Sequence, residues 1–276
     1  MKKVLLATTA LTLSAGFASA DVSMSGTGGA GVFGAAGADL SVYSGVDLGF
    51  SLSGASDNGM TFSASLDMGG GQTLDVGDFE LDTQDMGTDD NASVAIGVGG
   101  VTITLSQDGV DDLYDDDIAG DIGISGAMGD LTYSVVTGLE DADPTSISIG
   151  YSAGAISGSV ATSDEGDAST VSVSYAMGDI TVSVEADTDR TGADTNTTSV
   201  SYAMSDGMTI SVEESEGVVE ASVAYSSGAI SVGVTADDAA TESWEATMAY
   251  DLGGGATFNL GTNQDETTFA GVGFSF

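Results

Sequence analysis

Cysteine and histidine are both absent from the 276 residues, proline and tryptophan occur once each (Pro144 and Trp244), and only three residues are basic. Each absence closes a class of chemistry. Without cysteine there are no disulfide staples and no thiolate metal site. Without histidine the commonest general base and the commonest zinc ligand are missing. Ser-His-Asp and Cys-His nucleophile arrangements are therefore impossible. Near-absence of proline suits long strands, because proline breaks sheet ladders. The three bases are Lys2, Lys3 and Arg190. So few cations cannot grip a phosphate backbone, which excludes nucleic acid as a partner.

The segment "MKKVLLATTALTLSAGFASA" carries two lysines, an apolar run and Ala18-Ser19-Ala20. That pattern predicts a signal peptide over 1–20, with Asp21 as the new N-terminus. Its apolar run is shorter than the ~20 residues of a spanning helix. No twin arginine and no cysteine after the cleavage site point to other export or anchoring routes. Residues 21–276 then hold one positive charge, Arg190, against 43 negative ones, a net −42. An acidic disordered chain would be poor in apolar residues. Here 41% are apolar and 41 are glycine, which argues an ordered amphipathic structure.

Five segments look alike: "GYSAGAISGSVA", "SYAMGDITVSVE", "SYAMSDGMTISVEE", "AYSSGAISVGVT" and "AYDLGGGATFNLGT". Their tyrosines, Tyr151, Tyr175, Tyr202, Tyr225 and Tyr250, are 24, 27, 23 and 25 residues apart. Two strands of about ten residues plus two turns consume that length, so the repeating unit is a β-hairpin. Within a repeat the alternation is strict. Val171, Val173 and Tyr175 share one face, and Ser172 and Ser174 the other. Period two over such runs predicts strands, and no helix is expected after residue 20.

Two architectures satisfy that pattern: a soluble sandwich with its apolar face inward, or a membrane barrel with that face toward lipid. Tyrosines beside the tight glycine turns suit an interfacial girdle, an apolar ring with a wet hydroxyl. Trp244 shares the apolar face with Tyr250 and joins the girdle candidates. The opposite face is Ser, Thr, Gly and Ala, as a wide watery lumen allows. Short turns on one side and acidic connections such as "GLEDADP", "ADTDRTGADTN" and "EESEG" on the other fit a barrel. The ending "TFAGVGFSF" alternates to Phe274 and Phe276, the face of a closing strand that leaves no open edge in lipid. The expected architecture is all-β: one transmembrane antiparallel up-and-down barrel over 21–276. The short turns, plus the first and last strands, count to eighteen.

"DVSMSGTGGAGVFG" followed by "DLGFSLSGASDNGMTFSASL", with "MAYDLGGGATFNLG" near the end, resembles the general porins of alphaproteobacteria of the Rhodobacter type. The resemblance is clearest over 21–68 and 244–276. It implies a homotrimer of sixteen-stranded barrels in a Gram-negative outer membrane, and sixteen is taken as the expected number. It also implies passive diffusion of ions and small hydrophilic solutes, and an acidic third outer loop folded into each barrel. By order along the chain that loop is "SQDGVDDLYDDDIAGD", with Asp108, Asp111, Asp112, Asp115, Asp116 and Asp117 as the constriction residues and Asp121 at its end. Phe274 and Phe276 resemble the signal read by the outer-membrane assembly machinery. The arginine cluster that faces the loop in the family is absent here, which leaves a one-signed acidic lumen.

Asp47, Glu213 and Glu245 are expected to line that lumen from the wall. A cation-preferring channel follows, since acidic walls concentrate cations. Arg190, alone in a connection, is not expected to change its sign. No cofactor is required. Hard oxygen donors suit calcium, with Asp112, Asp115 and Asp117 as candidate ligands, although the order of an EF-hand loop is missing. "DTQDMGTDDN" reads as a second solvated loop, and 69–90 as further strand or loop. Divalent ions bridging acidic loops to lipopolysaccharide are a further expectation. No carboxylate pair flanks a closed cleft, so no catalytic residue is expected. The alternative from a different class is a secreted acidic β-repeat adhesin or structural surface protein.

Overall fold

The computed structural model describes residues 21–276 except 36, 85–91, 115–117, 140–143 and 165–166; the expected signal peptide lies outside the described residues. Among the described residues nineteen strands follow one another: β1 (Asp21–Gly34), β2 (Ser41–Ala55), β3 (Thr61–Asp75), β4 (Glu80–Gln84), β5 (Ser93–Val98), β6 (Val101–Asp111), β7 (Ala119–Met128), β8 (Leu131–Thr137), β9 (Thr145–Ala153) and β10 (Ile156–Ser163). They continue as β11 (Ser169–Met177), β12 (Ile180–Thr188), β13 (Asp194–Ala203), β14 (Met208–Ser215), β15 (Val218–Ser227), β16 (Ile230–Asp237), β17 (Trp244–Gly253), β18 (Ala256–Asn263) and β19 (Thr268–Ser275).

Neighbours in sequence pair antiparallel around a closed wall. β1 pairs with β2 over Asp21–Phe33 and with β19 over Thr27–Gly34. Gly26 and Phe276 exchange both backbone hydrogen bonds at 3.0 Å, which completes the seam. Eighteen strands form the wall; the expected sixteen is corrected. β3 pairs with β5 through Thr61–Ser65 and with β4 through Gly71–Asp75, so β4 is a branch off the wall rather than a member of it. The long β3 and its glycine-rich end supply both ladders, which is why 69–90 was ambiguous as sequence.

The turns explain the register. Gly129, Gly154, Gly178 and Gly228 open two-residue turns with φ between 61° and 66°, as the first centre of a II′ hairpin turn requires. These turns fix one end of each strand pair, and the alternation then assigns every side chain to a face. Val171, Val173, Val200, Val223 and Val232 are 38–53% exposed on the outer face. Serines pair across the inner face: Ser159 with Ser172 at 2.7 Å, Ser183 with Ser199 at 2.6 Å, Ser211 with Ser222 at 2.6 Å.

Among the described residues only Tyr43, Phe79, Val136, Ala168 and Phe269 are buried apolar residues. A sandwich would bury its valines. This molecule turns most of the large apolar side chains of its wall strands outward, Val136 of β8 being an exception, which an open watery exterior would not reward and lipid does.

Candidate functional site

The inner wall carries carboxylates where alternation turns Glu or Asp inward. Glu213 of β14 stands directly opposite Glu220 of β15, which stands directly opposite Asp237 of β16. Glu245 of β17 is one inward step along, opposite Thr235. Glu185 of β12 lies between Ser172 and Thr197 on the same face. Like charges directly opposite in a ladder destabilise it, so three abreast are a liability that only a hydrated lumen relieves. Asp47 of β2, opposite Thr27 and Gly69, faces inward elsewhere on the circumference.

Two segments fold onto this inner wall. The first is the hairpin formed by the end of β3, a tight tip and β4. At Gly71 the chain takes φ 82°, and a Cβ there would land on the Ser44 carbonyl oxygen. Gln72 then lies on Gly45, where a Cβ would sit 2.5 Å from the Gln72 carbonyl carbon. Asp75 Oδ1 accepts from the Gly77 amide at 2.7 Å and the Asp78 amide at 3.2 Å, closing the tip. Gln84 Nε2 donates to Thr73 Oγ1 at 2.8 Å and ties the two arms. Phe79 rests on Phe269, an inward residue of β19, with ring centroids 5.2 Å apart and planes at 57°. Thr73 and Leu74 share a cavity with Thr257 and Asn259, and Val76 shares one of about 350 Å³ with Thr209, Ala224 and Thr247. Asp78 and Glu220 are the charged neighbours of Glu245.

The second segment follows β6, whose pairing with β7 slips between Leu105 and Val110. Asp112 is buried at 6% exposure, with its amide donating to the Ile118 carbonyl at 2.7 Å. The Leu113 amide donates to Ser146 Oγ of β9 at 2.9 Å, and Ser163 Oγ of β10 lies 3.5 Å from Asp112 Oδ2. The Tyr114 hydroxyl reaches Asp187 Oδ2 of β12 at 3.1 Å, and Asp187 also accepts from Thr170. Burial, that hydrogen bond and the charges of Asp187 and Asp189 push the Tyr114 phenol up from its ordinary value, against Arg190. It therefore remains a protonated donor across the physiological range.

Of the acidic run, Asp111 ends β6 and is exposed, and Asp112 lies against the inner wall. Asp121 begins the inward course of β7 and accepts from the Leu139 amide at 2.7 Å. Asp108 belongs to β6, but its side chain, like Asp115, Asp116 and Asp117 entirely, lies outside the described residues. Two of the three candidate calcium ligands are thus undescribed, and no group of acidic side chains suited to a metal occurs among the described residues. Of "DTQDMGTDDN", Asp82 to Gln84 belong to β4 and the rest is undescribed.

Tyr151, Tyr175, Tyr202, Tyr225 and Tyr250 are 42–47% exposed on the outer face beside the short turns, and Trp244, 45% exposed, stands at the opposite rim. Phe274 and Phe276 also face outward; each ring lies over a glycine of β1, Gly28 and Gly26. Sequence reading missed Glu185, Glu220 and Asp237 as lumen residues, although their strands alternate as clearly as Glu213's. It also missed the hairpin, for which "GGG" before "LDVGDFEL" was the available signal.

The family model described as Gram-negative porin matches residues 7–272. Comparison with curated proteins gives no match. Among solved structures the chain is similar to a triple mutant of the Rhodopseudomonas blastica porin, at TM-score 0.60 and 16% identity, covering 93% of this chain and 100% of that one. A second variant of that porin gives TM-score 0.61 at 15% identity over the same shares. A porin refined at 1.8 Å gives 0.56 at 16%, again over 93% and 100%. At such identity these structures speak for the fold.

Proposed function

This chain belongs to the Gram-negative porin family and forms an outer-membrane channel, and from that premise we propose that its lumen favours cations among the ions and small hydrophilic solutes it passes. The carrying observation is the row Glu213, Glu220 and Asp237, unopposed by any basic residue of the wall strands. Fixed negative charge on low-dielectric walls raises the local cation concentration and repels anions. A reversal potential in a potassium chloride gradient across a planar bilayer tests this. Cation preference is expected at low salt, fading toward molar salt as the screening length falls to about 3 Å. Anion preference at low salt would overturn it, and replacing Arg190 should leave the sign unchanged.

The acidic segment 108–117 contributes to the same field. Replacing Asp111, Asp112, Asp115, Asp116 and Asp117 with Asn is expected to change single-channel conductance and ion preference together. A segment lying over the rim would instead give a small effect, screened at physiological salt where the Debye length is about 8 Å. Calcium at Asp112, Asp115 and Asp117, and divalent bridges to lipopolysaccharide, belong to this reading. So do a homotrimer, recognition of Phe274 and Phe276 by the assembly machinery, and removal of residues 1–20 on export. The outward tyrosines and Trp244 serve as the interfacial girdle. Family and fold are those of channels, and nothing in the lumen's carboxylates calls for an enzymatic role.

A further inference from the structure

We propose that the β3–β4 hairpin is the size-limiting strap of the channel and that Phe79 is its positioning residue, clamping the strap onto the seam between the first and last strands. The proposal rests on the channel reading above and names the element that sets what passes.

Three of the five apolar residues buried among the described residues stand at the seam, inside a barrel whose inner face is mainly polar. Phe269 is 1% exposed, Tyr43 3% and Phe79 6%. Tyr43 belongs to β2, yet its ring crosses the seam. Its Cε1 would be 2.8 Å from a Cβ at Gly31 of β1, and its hydroxyl occupies the space of a Cβ at Gly271 of β19. One side chain therefore spans β2, β1 and β19 over two glycines. Phe79 arrives from the hairpin to cover Phe269 beside it.

An apolar cluster there contributes nothing to lipid contact and is not needed to pair the wall. β3 keeps its ladder with β2 over Thr61–Gly71 and with β5 over Thr61–Ser65 whether or not the hairpin docks. What the cluster does is hold the hairpin down. Two costs oppose docking. Phe79 takes φ 56°, a conformation that side chains other than glycine rarely adopt. The hairpin also brings Asp78 toward Glu245, which already neighbours Glu220, negative charge toward negative charge. Burial of the Phe79 ring is the interaction that offsets both. Without it, the Gly69-Gly70-Gly71 bend lets the strap swing away from the seam.

The cysteine-free chain gives a clean test. Gly77 at the exposed tip would place a Cβ no closer than 3.4 Å to Asp75, so Gly77→Cys leaves the strap docked. Treating Gly77→Cys channels in a planar bilayer with a bulky neutral methanethiosulfonate should reduce the single-channel current stepwise. Phe79→Ala should raise uptake of tri- and tetrasaccharides into liposomes several-fold relative to glucose, and Phe79→Leu should restore the original ratio. The charges are unchanged in both Phe79 variants, so a shift in size limit alone separates positioning from electrostatics. Full current after modification at residue 77, or an unchanged sugar ratio in an assembled Phe79→Ala barrel, overturns the strap. If Phe79→Ala does not assemble, the Gly77→Cys current decides the matter by itself. Absence of any channel activity in the unmodified protein would instead defeat the channel reading.

Discussion

Converting Glu185, Glu213, Glu220 and Glu245 to glutamine together is expected to weaken the cation preference measurably at 0.01 M potassium chloride while leaving molar-salt conductance nearly unchanged. At 0.01 M the screening length is about 30 Å, so every wall carboxylate acts across the lumen; at 1 M it is about 3 Å and each acts only on its own surroundings. Glutamine keeps the side-chain volume, so a change in selectivity without a change in high-salt conductance isolates charge from bore. Stability should move the other way. Glu213 and Glu220 are directly opposed, and relieving a like-charge cross-strand pair is worth roughly 0.2–1 kcal/mol. A variant that is less selective and resists heat better than the parent is the signature of charge retained for transport. A permeability ratio unchanged at 0.01 M would sink the assignment of these residues.

Gly31→Ala is expected to weaken the closed barrel severely. A Cβ at Gly31 would strike the Ala270 carbonyl oxygen and lie 2.6 Å from the Gly271 Cα and 2.8 Å from Tyr43. Two of these are backbone atoms of the neighbouring strand, so neither can turn aside. Forcing extra atoms into such a site costs about 1–3 kcal/mol, more where backbone must move. The added methyl also lifts Tyr43 and the hairpin above it. Gly273→Ala on β19 is the control, since its nearest neighbour would be Asn259 at 3.7 Å, an ordinary contact. Heating in detergent with electrophoretic readout should unfold Gly31→Ala at a lower temperature than Gly273→Ala. Equal unfolding temperatures would mean that Tyr43 does not need the glycine-paved seam.

Legibility from sequence varied with the range of the interaction involved. Strand faces were readable because alternation is local: Val171 and Ser172 differ in partner whatever the rest of the chain does. Turns were readable for the same reason, each being a glycine at a required φ. The closing role of the last strand followed from its alternation and is seen in the ladder from Thr27 to Gly34 against Thr268 to Ser275. The hairpin was not legible, because alternation reports which face a residue takes and not whether its strand stays in the wall. β3 reads as one strand, and only the run Gly69-Gly70-Gly71 marks where it leaves. Asp112 likewise reads as one more acid in a run; its burial depends on Ser146 and Ser163, which lie 34 and 51 residues later. Eighteen strands were countable from the turns, but the resemblance argued for sixteen, and direct counting of local signals was the better guide.

One connection on the long-loop side is short. Between Ser215 and Val218 only Glu216 and Gly217 intervene, at φ 52° and 83°, the two positive values of a I′ turn. The rim is therefore notched at β14–β15, beside the three opposed carboxylates. Glu213 is two residues from the end of its strand, about 7 Å at the usual rise, which is within the ~8 Å screening length of physiological salt. An ion still in the bathing solution already feels that row. Under the proposed cation preference, the acid there governs how often a cation arrives rather than how long it lingers, and it does so at one sector of the mouth. Entry on that reading is lopsided, with a preferred landing side set by the shortest of the chain's outer turns.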